Sequence, residues 1–410
     1  MLDDSPRGAK RVSRSRRRLL RLPLEAAGAA ASISLSGVGS TAASALPRVK
    51  IIDVEPWVLN CGSLFVIVRT DQGITGYGES SPMNVRAIAA MIGEALKPLV
   101  MGQNALDRER LWERMYFTTY KLGVMGAQPE GIAGLDIALW DIFGKVTGQP
   151  LWQLFGGRRR ERVRMYASIG GAGDASPTEM ARRAAGAVEA GHTMVKIRTD
   201  WGTARTDANP AHDWAVLSEV RKAVGDRVEL GYDANNGFTV ATAIRLGRRF
   251  QDELGIIHYE EPVAQYDYSG IAQVVAALDV PIAAGEHEYT RWQFRDLIAE
   301  AKVDILQPDV TKCGGISEAL RIASLASTYN RMLVPHQTQP SLGTGANLHF
   351  TACFAREDRA QEYDINSKRA ILNRFIDPPL EQRGGYLSVP EGPGLGIQVD
   401  ESELRKLRVA

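Results

Sequence analysis

Three carboxylates recur at nearly regular intervals in the second half of the chain. Asp233, Glu260 and Glu286 lie 27 and 26 residues apart, and each follows a short apolar segment typical of a buried strand. If these segments are neighbouring parallel strands, their side chains meet at one edge and cannot all stay ionised there without a cation. Oxygen ligands with open positions suit Mg²⁺ better than zinc, which favours His or Cys. The spacing therefore predicts a magnesium site.

Other polar side chains stand at the ends of comparable segments. In the stretch TMVKIRTD, Lys196 and Arg198 are separated by one residue, so on a strand they face the same side. A single residue of this kind is more often a solvated charge or a helix N-cap than a functional group. An ordered set along successive segments favours one shared site. The other members of this set are Asn235, Glu261, His287, Asp309, Lys312, His336 and Glu362.

The segments that carry these residues alternate with amphipathic helical patterns. Eight short apolar stretches begin at about residue 163, and sequences such as SPTEMARRAAGAVEAG lie between them. Parallel strands need helical crossovers, and eight such units form a closed barrel whose catalytic groups lie at the carboxyl ends of the strands. An open doubly wound sheet is the alternative. It is disfavoured because no glycine-rich phosphate-binding fingerprint follows a first strand.

Different patterns flank the barrel segment. From residue 46 the chain reads as β-strands joined by a turn, and then as helices that end in a Gly-Gly pair near residue 157. We therefore expect an α+β domain over residues 46–160, a barrel over 161–372, and a C-terminal segment, 373–410, that returns to the first domain.

Overall composition describes a soluble globular enzyme of ordinary size. The chain has 410 residues, 44% of them hydrophobic, with 49 basic and 48 acidic side chains. The net charge of +1 offers no long-range attraction to nucleic acid, so no nucleic-acid partner is expected. Three cysteines are too few and too scattered for a disulfide framework.

The N-terminus predicts an export signal. An arginine-rich start is followed by a weakly apolar stretch and by Ala43-Ser44-Ala45, which fits a cleavage site over residues 1–45. SRRRLLR, residues 15–21, is similar to a twin-arginine motif and indicates periplasmic or other exported localisation. A disordered basic tail, a mitochondrial presequence or a mis-assigned start, with a cytoplasmic protein, are the alternatives. No other segment is apolar enough to span a bilayer, so no membrane contact is expected of the mature form.

From about residue 46 onward the chain resembles the enolase superfamily, specifically its mandelate racemase subgroup of the acid-sugar dehydratase type. The resemblance is carried by VKIR, YDANN, YEEP, GEHE, QPDVTKCGG, VPH and EYD in this order, with GLDIALWDIFGKVTGQPLWQLFGG and GPGLGI outside the site. It implies a modified TIM barrel, (β/α)7β, with an N-terminal α+β capping domain that the C-terminal tail completes, and Mg²⁺ as cofactor. The residues that match are the metal ligands Asp233, Glu260 and Glu286, the Asp309–His336 dyad, Lys196 as the first lysine of K-x-K, and the substrate-binding carboxyl of Glu362.

The expected reaction begins with removal of the proton next to a carboxylate. His336 is the expected base, because its ordinary pKa of about 6.5 lies near working pH, and Asp309 would fix its tautomer. Arg198 departs from the racemase pattern, since a pKa above about 12 makes arginine a poor second base but a good fork for oxygen ligands. His336 working alone would remove the proton and then protonate a departing β-hydroxyl. The expected activity is dehydration of an aldonate or aldarate to a 2-keto-3-deoxy acid.

Two alternatives remain. The first is a racemase, epimerase or cycloisomerase on the same scaffold, which would need Arg198 or Lys312 as a second base. A non-catalytic exported sugar-acid-binding protein would keep the fold without using the base. Around the substrate we expect Arg198, His287, Lys312 and Asn235.

Substrate identity and assembly are less well specified by the sequence. Residues 59–64 and 118–131 of the first domain are the expected selectivity loops. Tyr120 and Lys121 are either hydrogen-bond donors to the substrate or plain surface residues. His192, His212, His258 and His349 are expected on the surface or in packing. By resemblance a homo-oligomer is expected.

Overall fold

The capping domain begins with an antiparallel sheet followed by helices. The computed structural model describes residues 46–202, 206–355, 359–365 and 368–409, so the predicted export signal lies outside the described residues. The elements are β1 (Ile51–Val58), β2 (Leu64–Thr70), β3 (Thr75–Ser80), α1 (Val85–Ala90), a π-helical turn (Met91–Leu96), α2 (Lys97–Val100), α3 (Arg108–Thr119), α4 (Ala127–Thr147) and α5 (Leu151–Leu154).

Close backbone contact joins the sheet to the long helix of this domain. A Cβ atom at Gly78 would lie 2.0 Å from the carbonyl oxygen of Gly134, and one at Gly76 would lie 2.3 Å from that of Ala138. Only glycine lets β3 approach α4 this closely. The apolar faces of the sheet and of α4 form one core, which includes Val66 and Val68 from β2 and Ile132 from α4.

The barrel follows with strands and helices in strict alternation. Its elements are β4 (Arg162–Ile169), α6 (Pro177–Glu189), β5 (Met194–Arg198), α7 (Pro210–Val224), β6 (Glu229–Asp233), α8 (Val240–Leu254), β7 (Ile256–Glu260), α9 (Tyr268–Ala277), β8 (Ile282–Ala284), α10 (Thr290–Asp296), β9 (Ile305–Leu306), α11 (Ile316–Thr328), β10 (Met332–Leu333), α12 (Leu342–Phe354) and β11 (Gln361–Asp364). This is the predicted (β/α)7β order, so the predicted fold class is confirmed.

All eight strands run parallel, in the order β10-β9-β8-β7-β6-β5-β4-β11. Between β10 and β11 no backbone ladder forms in the part of the chain that the structure describes. There, the backbone N–H of Gln337 donates to the side chain of Glu362 at 2.9 Å. A hydrogen bond from the backbone to a side chain thus connects the segment after β10 with β11, and these are the two end strands of the parallel sheet.

Alternation along the strands separates the helix-packing face from the interior. Val195, Ile197 and Tyr232 belong to the main core with the surrounding helices. Met194 belongs to a separate small cluster, and Lys196 and Arg198 share its side of β5. Polar groups on these interior positions therefore meet at the carboxyl ends of the strands.

The C-terminal segment contacts both domains. Its elements are α13 (Arg369–Leu372), β12 (Ile376–Asp377), β13 (Tyr386–Ser388), β14 (Gln398–Val399) and α14 (Glu401–Leu404). β13 pairs antiparallel with the start of β4, opposite the mouth of the barrel. Glu401 accepts hydrogen bonds from Tyr77, at 2.6 Å, and from Arg69 in the capping sheet. No helix in the described residues is long and apolar enough to cross a membrane.

The capping domain lies on loops at the mouth of the barrel. Trp112 Nε1 donates to the carbonyl oxygen of Gly314 at 2.7 Å, and Asp136 accepts hydrogen bonds from the backbone and side chain of Ser317. Buried Glu79 accepts from Gly343 N at 2.8 Å. These contacts anchor the capping domain to the starts of α11 and α12, beside the strand ends that carry the polar set.

Candidate active site

Strands β5, β6 and β7 bring their ionisable side chains into register. Arg198 lies opposite Asp233 in the sheet, and Asp233 lies opposite Glu260. Because the strands are parallel neighbours, residues in register on the interior face meet at one level of the barrel. Asp233 and Glu260 are 1% and 0% exposed, so both carboxylates are buried.

Lys196 is the cation at the centre of these carboxylates. Its Nζ donates to both carboxylate oxygens of Glu260, at 2.8 and 2.7 Å, and lies 3.0 Å from Glu362 and 3.7 Å from Asp233. Burial acts to lower the pKa of Lys196, but Glu260 and Glu362 outweigh it and hold that pKa well above its usual range. Lys196 is therefore a permanent positive charge rather than a base.

The predicted dyad is present on the other side of the mouth. Asp309 Oδ2 lies 2.7 Å from His336 Nδ1, and Asp309 Oδ1 accepts from Thr311 N at 2.7 Å. His336 Nε2 is 3.1 Å from Glu286. Burial acts to lower the pKa of His336, but the carboxylates, Glu286 first, raise it to about 9. Asp309 thus orients the ring with Nε2 directed away from it, towards Glu286.

Glu286 stands at the centre of a second group of contacts. His287 Nε2 lies 3.2 Å from Glu286 Oε1 and 3.5 Å from Glu261 Oε2. Lys312 Nζ donates to the backbone carbonyl of Glu286 at 3.0 Å. Burial acts to raise the pKa of Glu286, and His336 and Lys312 outweigh it and lower that pKa to about 2. Glu286 therefore remains a carboxylate in the mouth of the barrel.

A cavity of about 300 Å³ opens between these groups. Its lining combines strand-end carboxylates, the dyad histidine and one guanidinium with small residues: Ser168, Gly170, Gly171, Arg198, Asp233, Glu286, His336, Thr338, Glu362 and Asp364. A Cβ at Gly170 would lie 2.9 Å from Arg198 Nη2, so the glycine makes room for the guanidinium. Arg198 Nε is buried and has no hydrogen-bond partner among the described residues. The guanidinium is thus available to an oxygen ligand.

The donor set fits a divalent cation. Burial raises the pKa of Asp233 well above its usual range, and Glu260 and Glu286 raise it further, so the site favours additional positive charge. Asp233 and Glu286 both line the cavity. Both oxygens of Glu260 accept hydrogen bonds from Lys196, so a metal ion there would replace at least one of them. Carboxylate oxygens are the ligands that Mg²⁺ prefers.

The tightest cluster of ligand atoms differs from the predicted trio. Among the described residues, only Glu261, Glu286 and His287 bring three candidate ligand atoms within 4.8 Å of one another. Asp233 and Glu260 instead lie beside Lys196. Glu286 is the residue common to both sets.

Three predicted substrate contacts do not line the cavity. Asn235 donates its backbone N–H to Asp233 Oδ1 at 2.7 Å, Lys312 holds the backbone of Glu286, and His287 pairs with Glu261 and Glu286. Of the four predicted contacts only Arg198 faces the cavity. Asn235, Lys312 and His287 instead contact Asp233 or Glu286, which line the cavity.

The predicted selectivity loops are also separate from the cavity lining. No described residue of 59–64 or 118–131 contributes to it. Tyr120 is 47% exposed and Lys121 is exposed. Ser168, Thr338 and Asp364 supply polar lining from the barrel itself, and the sequence analysis did not single them out.

His258, expected on the surface or in packing, contacts a predicted metal ligand instead. Its Nε2 lies 2.8 Å from Glu260 Oε2, in the barrel interior. The signal was available, since His258 and Glu260 are two residues apart on one strand and must face the same side. His192 and His349 are buried in packing, as expected, and each hydrogen-bonds a backbone carbonyl.

The fold and the site define a capped parallel barrel whose mouth holds carboxylates, a buried lysine and an Asp–His dyad. Residues 179–403 match the family model described as enolase C-terminal domain-like. Residues 58–156 match the N-terminal domain of mandelate racemase and muconate lactonizing enzyme. The chain therefore belongs to the enolase superfamily, and the predicted membership is confirmed.

Individual relatives match most of the chain. Arabinonate dehydratase of Saccharolobus solfataricus is 34% identical over 335 residues, which cover 81% of this chain and 87% of the relative. D-galactarolactone cycloisomerase of Agrobacterium fabrum is 33% identical over 360 residues, 84% and 91% of the two chains. A mandelate racemase/muconate lactonizing protein from Paracoccus denitrificans, solved as a magnesium complex, has 37% identity and a TM-score of 0.84, covering 88% and 97%.

Proposed function

We propose that this enzyme dehydrates an acid sugar to a 2-keto-3-deoxy acid. The observation that carries the proposal is the His336–Asp309 dyad at a cavity whose facing cation is Arg198 rather than a second lysine. Such a site has one base, and dehydration by elimination needs only one. The similarity to arabinonate dehydratase supports the same class of substrate.

The first step removes the proton next to the substrate carboxylate. In this proposal Asp233, Glu260 and Glu286 would hold Mg²⁺. A bound Mg²⁺ would stabilise the negative charge that develops on the substrate carboxylate. Lys196 adds a fixed positive charge, and Glu362 accepts a hydrogen bond from the substrate. These groups stabilise the dianion as it forms, which is the main requirement for removing so weak an acid.

His336 serves first as base and then as acid. It takes the α-proton only in its neutral form, so the negative charge of Glu286, which raises the pKa of His336, must be neutralised in the active complex. The imidazolium that results then donates its proton from Nε2 to the departing β-hydroxyl. Asp309 keeps the ring in one orientation through both steps and stabilises the imidazolium. The enol product tautomerises to the 2-keto acid.

Neither candidate for a second base fits that role. Burial acts to lower the pKa of Arg198, yet Asp233 and Glu286 outweigh it and raise that pKa further. Lys312 donates to the backbone of Glu286, and its pKa is also raised. A racemase or epimerase needs a base on each face of the α-carbon. Because neither Arg198 nor Lys312 suits the role of the second base, the site supports a one-base reaction.

Cycloisomerisation is the second candidate. It is favoured by the 33% identity to D-galactarolactone cycloisomerase over most of both chains. This reaction can also begin with one base and one stabilised dianion, so the dyad suits it. The two activities differ in their products, because a cycloisomerase opens or forms a ring without losing water.

A coupled assay for 2-keto acids tests the proposal. The full chain would be incubated with a library of aldonic and aldaric acids, with MgCl₂ and separately after EDTA treatment. We expect a few substrates that share C2 and C3 configuration to give product, and we expect added Mg²⁺ to restore activity lost to EDTA. Asp233→Asn should be inactive with or without Mg²⁺. Turnover that does not depend on metal contradicts the proposal, and consumption of aldarolactones without 2-keto acid favours the cycloisomerase.

A further inference from the structure

The segment that follows His336 holds two of the site's carboxylates. Gln337 donates its backbone N–H to Glu362 Oε2 at 2.9 Å. Gln339 donates from Nε2 to Asp309 Oδ2 at 3.2 Å, and this is the oxygen that faces His336 Nδ1. Both glutamines are buried, at 1% and 0% exposure. One short segment therefore contacts both Glu362 and the dyad.

Thr344, in the first turn of α12, ties this segment together. Its hydroxyl donates to the carbonyl oxygen of Gln339 and accepts a hydrogen bond from Gln337 Nε2 at 2.8 Å. Arg369 Nη1 also donates to the same hydroxyl at 2.8 Å, and Gln337 Nε2 makes a second contact with the carbonyl of Gln339 at 2.6 Å. Thr344 is thus the common partner of three groups.

These bonds matter because the backbone here has no regular structure to fix it. Residues 334–340, between β10 and α12, form neither helix nor strand. Side-chain hydrogen bonds are therefore what determine where Gln337 and Gln339 lie. Since these groups are buried, breaking one hydrogen bond leaves a polar atom with neither a protein partner nor water. Such an unsatisfied atom destabilises the fold by about 1–3 kcal/mol. The far end is fixed by the capping domain, because Glu79 accepts from Ser341 Oγ and Gly343 N.

We propose that Thr344, with Gln337 and Gln339, positions the dyad and Glu362 for reaction. This inference rests on the proposed function, since it assigns a supporting role to a segment beside the proposed base. Both glutamine side chains are neutral, so they hold the carboxylates in place without adding a competing charge. The segment acts through Asp309 and Glu362, so its members are positioning residues rather than catalytic ones.

Removal of the Thr344 hydroxyl is the most direct test. Thr344→Val keeps the volume and β-branching of the side chain but loses all three hydrogen bonds of the hydroxyl. We expect kcat to fall by about tenfold or more, with KM within about twofold, because a small misplacement of reacting groups affects the chemical step most. Thr344→Ser keeps the hydroxyl and should restore kcat.

Thr351→Val is a matched control on the same helix. Thr351 is also buried, but its hydroxyl has no hydrogen-bond partner among the described residues. The Thr351→Val substitution should therefore leave kcat and KM unchanged. The proposal is wrong if Thr351→Val lowers kcat as much as Thr344→Val, or if Thr344→Ser fails to restore kcat. Either result would show that the Thr344 hydroxyl has no specific role.

A second readout does not depend on turnover. In protein labelled with ¹⁵N-histidine and saturated with MgCl₂, the proton on His336 Nδ1 that bonds Asp309 should give a far-downfield resonance, assigned by its loss in His336→Asn. We expect Thr344→Val to shift or broaden it, and Thr344→Ser and Thr351→Val to leave it unchanged. An unshifted resonance in Thr344→Val contradicts the positioning role. If the wild-type protein dehydrates no acid sugar, the proposed function fails, and this comparison still decides the role of Thr344.

Discussion

Asp309 Oδ2 lies 2.7 Å from Nδ1 of His336, and Nε2 of the same ring lies 3.1 Å from Glu286. The ring is thus held between a carboxylate that orients it and one that borders the cavity. The side-chain oxygens of Asp309 also accept from Thr311 N and Gln339 Nε2, so the orienting carboxylate is itself fixed. This geometry suits the role proposed for His336 as the base and assigns Asp309 an orienting role that can be tested.

Asp309→Asn should lower kcat by about 100-fold or more, while the fold is kept. An amide in this position can donate to Nδ1, which favours the tautomer with its proton on Nε2, and such a ring cannot accept the α-proton. Steady-state kinetics on the best library substrate measures the effect, with circular dichroism melts as a check on folding. A variant that keeps more than a tenth of wild-type kcat argues against the orienting role.

The Arg198 guanidinium should govern substrate affinity. Arg198→Lys loses the two-pronged contact with an oxygen ligand, so KM should rise by about tenfold or more. Gly170→Ala tests the same contact without altering Arg198, because the new Cβ would lie 2.9 Å from Arg198 Nη2.

Gly186→Ala is the matched control for that glycine substitution. Apart from the adjacent backbone of its own helix, no atom lies within 4 Å of the site of a new Cβ at Gly186, which lies in α6 and does not line the cavity. We expect KM to rise in Gly170→Ala and to stay unchanged in Gly186→Ala. An unaltered KM in both Arg198→Lys and Gly170→Ala would mean that the guanidinium does not contact substrate.

Lys196 should contribute strongly to stability when metal is absent. Its Nζ compensates Glu260 and Glu362, and both carboxylates are buried. Lys196→Met leaves them without that cation, and losing one partner of a buried ion pair destabilises by about 3 kcal/mol or more. We expect a lower Tm in EDTA, and a rise in Tm on adding MgCl₂ that is larger than in the wild type. Equal Tm values for the two proteins in EDTA contradict this assignment.

His349 should make the protein less stable in mild acid. It is fully buried, accepts a hydrogen bond at Nδ1 from Trp152 N, and donates from Nε2 to the carbonyl of Leu395, so both nitrogens are satisfied in the neutral ring. Burial lowers its pKa to about 4, from an ordinary 6.5. The unfolded chain therefore binds the proton first, and stability present above pH 6.5 is lost as pH falls towards 4.

Urea titrations measure this effect. Between about pH 7 and pH 5 the free energy of unfolding should fall by about 2 kcal/mol more in the wild type than in His349→Gln. The comparison removes the contribution of other titrating groups, since both proteins share them. Parallel pH dependence in the two proteins would show that His349 does not set the acid sensitivity.

Much of this architecture can be predicted from the sequence because it depends on local pattern. Alternation along β5 places Lys196 and Arg198 on one face, and the spacing of Asp233 and Glu260 reflects one strand and one helix. Parallel strands then bring their carboxyl ends to one mouth. These relationships follow from chain geometry and need no knowledge of side-chain packing.

Long-range contacts set the limit of such prediction. The role of Thr344 depends on a turn of α12 meeting a loop and Arg369, and no periodicity in the sequence indicates that meeting. The cavity lining likewise depends on rotamers, which turn His287 and Lys312 towards Glu286 instead of the cavity. The loop position of Tyr120 fits either a substrate contact or a surface residue, and in the structure its side chain is 47% exposed and outside the cavity lining.

In the proposed reaction, His336 is the base that takes the α-proton. Wild type and His336→Asn would be incubated in D₂O with Mg²⁺ and the best library substrate. NMR would measure the 2-keto acid formed and the deuterium at the α-carbon of the remaining substrate. We expect the variant to lose product formation and deuterium incorporation together, by about a thousandfold or more. Deuterium incorporation that persists in His336→Asn at a rate near that of the wild type would show that another group removes the proton.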